Sequence, residues 1–222
     1  MWADAVLIFR KDFRVEWRAR VVLTQIAPFT LVTLILFGIA FDADRNLLVQ
    51  LAPGLVWVVV LFAAVLSAQR SFAMEQRDGT RDALAVSALD PAGIFLGKLL
   101  AVSAQLLAII VFVLVGALVL FGSRISQPSL LVVSSLLSTV GLAAIAVLYG
   151  ALISGLRGGE TAFPILVLPV AAPVLLVATR AWEDALGVTA GSAWGGIPFL
   201  GVFAVVFIAL GVVAFGWMME PA

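Results

Sequence analysis

Six long apolar runs dominate the chain: Val21–Phe41, Leu51–Ala68, Leu99–Phe121, Leu130–Ile153, Phe163–Thr179 and Ile197–Met218. Each approaches or exceeds the ~20 residues a helix needs to cross a hydrocarbon core of ~30 Å. Lipid cannot satisfy open backbone groups, so the runs must be helical. Composition agrees: 12% of the 222 residues are charged, about half the ~25% of an average soluble domain. Mean hydropathy is +1.20. The expected fold is an all-α integral membrane protein with six transmembrane helices, the fifth run being the shortest. The N-terminus lacks the short apolar region and small-residue cleavage site of a signal peptide.

Lys and Arg set the orientation. Arg10, Lys11, Arg14, Arg18 and Arg20 precede the first run; Arg70, Arg77, Arg81 and Lys98 lie between the second and third; Arg157 follows the fourth. The opposite side carries Arg45, Arg124 and Arg180. Positive charge stays inside, which places both termini in the cytoplasm. The loops are short, so residues 1–222 read as a single membrane domain. It comprises an N-terminal helix over 1–20 and a six-helix region over 21–222, with a polar cytoplasmic segment at 70–98. Thirteen basic and 13 acidic residues balance, which argues against nucleic acid as a partner.

Trp2, Val6, Phe9, Phe13 and Trp17 recur at spacings of four and three, on one helical face. Arg10, Arg14 and Arg18 share a neighbouring face with Lys11. Such a helix is expected to lie in the headgroup plane. In the polar segment, Thr80 can cap a short helix from Arg81 to Leu89, with Asp82 at its positive end. This helix has no clean apolar stripe, so it is expected to meet protein rather than lipid. Asp90-Pro91 is a helix-start signal for the third span. Pro164, Pro169 and Pro173 mark the fifth run as a bent helix, a candidate cavity or gate wall.

Much chemistry is excluded. There is no cysteine and no histidine, which removes disulfides, thiolate nucleophiles, zinc sites and the imidazole and thiolate haem ligands. No ionisable residue lies near the middle of a run, which weighs against ion-coupled carriers. The polar residues there, Thr30, Thr33, Gln105, Ser134, Ser135, Ser138 and Thr139, read as helix–helix hydrogen-bonding groups. Gly93–Lys98 is one residue short of a phosphate-binding loop, and Leu99 stands where Ser or Thr is required. ATP energy must therefore come from a separate protein, and the chain is not expected to be an enzyme.

The sequence resembles the haem exporter protein B family (CcmB), the permease subunit of the cytochrome c maturation ABC transporter. The resemblance rests on Phe9-Arg-Lys-Asp-Phe-Arg14, Leu51-Ala-Pro-Gly-Leu-Val-Trp57, Arg70-Ser-Phe-Ala-Met-Glu75 with Asp78-Gly-Thr, and Ile94-Phe-Leu-Gly-Lys98. It continues through Gly155-Leu-Arg-Gly-Gly159 to Leu166-Val-Leu-Pro-Val-Ala-Ala-Pro173. It implies a bacterial inner-membrane location, a homodimer within a two-plus-two complex with a CcmA-type ATPase, and association with CcmC, CcmD and transiently CcmE. The implied work is haem export or ATP-driven release of haem-loaded CcmE from CcmC, with haem as a candidate substrate and ATP on the partner.

The resemblance further implies an ABC-2 exporter-like architecture with an interfacial N-terminal helix and a cytoplasmic coupling helix. On that template Glu75, Arg77, Asp78, Arg81 and Asp82 meet the ATPase, and Arg157 and Glu160 form a second contact. Two alternatives stand beside it: a non-conducting scaffold for haem-handling subunits, and an ABC-2 permease for lipid or drug.

Overall fold

The structure is a computed structural model that describes residues 1–19, 27–41, 44–77, 89–153 and 159–219. Its helices are α1 (Trp2–Ala19), α2 (Ala27–Ala40), α3 (Arg45–Arg77), α4 (Pro91–Leu120), α5 (Pro128–Ile153), α6 (Gly159–Ala185) and α7 (Ile197–Met219). A 3-10 turn at Ala193–Gly196 leads into α7. Within the helices, the side chains of Trp17, Ala19, Ala27, 72–77, 159–162 and Met219 are outside the description.

Five stretches are long and apolar enough to cross a membrane: Arg45–Ser71, Pro91–Leu120, Pro128–Ile153, Phe163–Ala185 and Ala193–Met218. They correspond to the second through sixth expected runs. The first is represented by α2, apolar but shorter over Pro28–Ala40; residues 20–26 fall outside the described residues.

Local chemistry sets the helix starts. Asp90 is extended, and its Oδ1 accepts the Ala92 N–H at 3.0 Å; Pro91 takes a first-turn position. Asp44 does the same for α3, accepting from the Asn46 N–H at 2.9 Å. At 30 residues, α4 is about 45 Å long, some 15 Å more than a hydrocarbon core. Lys98 marks the excess as its N-terminal portion.

The centre of the molecule is α5, which packs against α3, α4, α6 and α7. Ala143, Ala144, Ala146 and Ala151 are all buried there. Small residues let helix backbones approach closely, as association in lipid requires. On α5, Ser134 donates to the Leu130 carbonyl at 2.7 Å. Ser135 donates to the Leu131 carbonyl and accepts from the Trp182 indole of α6 at 3.1 Å. The Trp182 ring meets that of Trp57 on α3 edge to face at 5.8 Å. Ser135 thus makes the helix–helix hydrogen bond its sequence reading expects, whereas both Ser134 bonds stay within α5.

Across three internal prolines, α6 stays helical. Its buried stripe is Phe163, Val167, Ala171, Val174, Ala178 and Trp182. Pro164 is half-buried beside that stripe, and Pro169 and Pro173 lie on the exposed side.

At the end of the bundle where α4 stops and α5 begins, the connections are knotted together by hydrogen bonds. The Ser126 and Gln127 N–H groups donate to the Ala185 carbonyl at 2.8 and 3.0 Å. Asp184, buried, accepts from the Thr189 hydroxyl and from the Ala193 N–H at 2.6 Å. Gly122 has φ +69, and the Arg45 guanidinium lies where its Cβ would be. The opposite end carries α1, the C-terminus of α3 and the N-terminus of α4.

Candidate functional site

That second end holds the buried Lys98 and its carboxylate partner. Here α1 lies along α4 in the same direction and at a constant register. Met1 meets Asp90, Asp4 meets Gly93, Ile8 meets Gly97, and Glu16 meets Gln105, 89 residues apart. A Cβ on Gly93 would lie 2.7 Å from the Met1 carbonyl oxygen and 2.9 Å from Asp4 Cβ; one on Gly97 would lie 2.6 Å from Ile8 Cβ. Two glycines four apart let the helices touch, with Ala101 continuing the stripe one turn on.

The stretch Gly93–Lys98, phosphate-loop-like by spacing, is therefore a helix-docking platform. The same register runs α1 along α4 for about four turns rather than across it.

At ~100° per residue, α1 has three faces. The docked one carries Asp4, Ala5, Ile8, Asp12 and Glu16, none of them exposed. The second is the expected aromatic face: Trp2 is 66% exposed and Phe13 39%, with the Phe9 and Phe13 rings stacked at 5.6 Å. The third carries Arg10, Lys11, Arg14 and Arg18, all exposed.

Beyond the glycines the docked face turns polar. Lys98 Nζ, on a side chain 2% exposed, is 3.6 Å from Asp12 Oδ2 and 3.2 Å from Ser71 Oγ at the far end of α3. The other Asp12 oxygen is 3.2 Å from Lys11 Nζ. Gln105 Nε2 is 3.5 Å from Glu16 Oε2. Burial raises the Glu16 carboxyl above its ordinary pKa, the Arg70 guanidinium of α3 pulls it down, and Asp12 pushes it up. Breaking a buried ion pair is costly because the abandoned charge keeps its desolvation penalty. This cluster therefore ties α1, α3 and α4 into one unit, bridging the two helices that bound residues 78–88.

The sequence-predicted site residues fall as follows. Glu75 and Arg77 close α3 and Glu160 opens α6, with their side chains outside the description. Asp78, Arg81, Asp82 and Arg157 lie outside the described residues, as does the expected helix before Leu89. Trp2, Phe9, Phe13, Arg10 and Arg14 sit on the two outer faces of α1. Trp17 lies within α1, its side chain outside the description. Pro164, Pro169 and Pro173 belong to α6, away from the charged seam.

Sequence reasoning missed Asp12, Glu16 and Lys98 as members of this cluster, whereas Gln105 makes the helix–helix hydrogen bond expected of it. Two signals pointed to them: carboxylates at positions 4, 12 and 16 share one face of α1, and small residues at 93, 97 and 101 share one face of α4.

No curated protein matches the chain. The model of the CcmB protein family matches residues 3–220. A match over nearly the whole length, on a bundle of apolar helices long enough to span a membrane, shows that the chain belongs to the CcmB protein family.

Proposed function

We propose that the chain is the membrane permease subunit of an ABC-type complex in cytochrome c maturation, moved by ATP hydrolysis on a separate subunit. In this reading it has six spans in an ABC-2-like arrangement, both termini in the cytoplasm, and pairs as a homodimer with two CcmA-type ATPases. CcmC, CcmD and, transiently, CcmE complete the assembly in the bacterial inner membrane.

One observation carries the reading: the Asp12–Lys98–Ser71 bridge joins α1 to both helices flanking 78–88. A push on that segment from the cytoplasm reaches α3 and α4 together and carries α1 with them. Glu75, Arg77, Asp78, Arg81 and Asp82 are the proposed contact with the ATPase, and Arg157 with Glu160 the second. The lack of histidine and cysteine supports release of haem-loaded CcmE over conduction of haem, since haem finds neither imidazole nor thiolate here.

Charge reversal at Arg77 and Arg81 tests the coupling. It is expected to abolish co-purification with the ATPase and to stop cytochrome c maturation. Intact assembly with full maturation would refute the coupling role. In proteoliposomes of the whole complex, ATP-dependent release of CcmE without haem crossing the bilayer is the expected outcome.

A further inference from the structure

We infer that the arginine row of α1 is a binding site for the headgroups of anionic phospholipids. Charge on α1 is segregated: Asp4, Asp12 and Glu16 all point at α4, while Arg10, Arg14 and Arg18 are exposed four residues apart. No carboxylate pairs with these three arginines among the described residues.

The register with α4 then fixes their depth. Glu16 is level with Gln105, so Arg14 and Arg18 lie level with the turns of α4 on either side of Gln105. Those turns follow Lys98 and belong to the apolar part of the span. An arginine held at that depth cannot rest against hydrocarbon and extends to the phosphate layer. The helix cannot roll to relieve this, because any rotation drives Ile8 off Gly97 and Asp12 off Lys98. On the neighbouring face the stacked rings of Phe9 and Phe13, level with Lys98 and Val102, suit the acyl boundary where aromatic rings settle. A row of cations beside an aromatic row, at fixed depth, matches a lipid with a net negative headgroup better than a zwitterionic one. An acidic protein surface would match the cations but leave the aromatic face and the depth without a role.

The test uses the full chain in mixed micelles containing equal phosphatidylglycerol and phosphatidylcholine, with retained lipid counted by native mass spectrometry. Wild type is expected to retain phosphatidylglycerol preferentially, by roughly fivefold per engaged arginine, with the preference falling as salt rises. The triple variant Arg10→Gln/Arg14→Gln/Arg18→Gln is expected to lose it. Arg124→Gln/Arg180→Gln, at the opposite end, should keep it. The conservative triple Arg→Lys variant should keep most of it, separating loss of charge from loss of fold. Equal retention of the two lipids by wild type overturns the inference, whatever the triple variant's behaviour. So does a triple variant that keeps the preference, including one that instead loses a protein partner.

Discussion

Glu16 is the residue whose setting is least expected from its position in the chain. It belongs to a polar N-terminal helix, yet the pairing with α4 brings its carboxylate to Gln105, halfway along a span. Its pKa is raised, chiefly by burial. A group whose folded-state pKa is raised contributes stability that is fully present below its unfolded pKa and is lost as pH rises through the folded value. Docking of α1 is therefore expected to be tightest in mild acid and to loosen as pH climbs through the raised Glu16 pKa. Glu16→Gln mimics the protonated side chain and should remove that component of the pH dependence. Protease resistance of α1, followed across that pH window in wild type and variant, checks this; identical profiles would show that Glu16 does not control docking.

At the scale of elements, what the sequence shows and what it hides divide by range of interaction. The start of α4 is legible at Asp90-Pro91 because a cap involves neighbours only. The aromatic face of α1 is legible because helical periodicity is local. The seam is not legible in the same way, since its partners stand 89 residues apart and no spacing within either helix names the other. The glycines at 93 and 97 are visible, but their spacing reads equally as a phosphate loop that fails by one residue. The expected short helix at Arg81–Leu89 falls on residues outside the description. Gly97→Val tests the seam at this scale. Its new Cβ alone would lie 2.6 Å from Ile8 Cβ, and overpacking of this kind costs about 1–3 kcal/mol. Because the chain has no cysteine, a single engineered pair, Glu16→Cys with Gln105→Cys, whose native side chains meet at 3.5 Å, reports docking through a short thiol-to-thiol cross-linker. The pair is expected to cross-link readily in the wild-type background and several-fold more slowly when Gly97→Val is added; equal rates would show that the close approach at Gly97 is dispensable.

For the whole molecule, the seam poses a choice between a mechanical joint and a set of charges with a role of their own. Lys98→Met alone removes the buried one of the two cations beside Asp12 and leaves it Lys11, 3.2 Å away with a 40% exposed side chain. The loss is therefore expected to fall below the about 3–5 kcal/mol of a wholly uncompensated buried charge. Adding Asp12→Leu removes the stranded charge, and apolar replacement of a buried pair is often neutral or stabilising. If α1, α3 and α4 work as one rigid unit transmitting movement from residues 78–88, rigidity matters and its chemical origin does not. The double variant is then expected to recover both thermal stability and holocytochrome c production, while Lys98→Met alone loses both. Melting of the purified protein and haem-stained cytochrome levels in a strain lacking the wild-type chain read the two quantities separately. A double variant that is stable and assembled but still inactive would refute the joint, and would place function in the charges themselves.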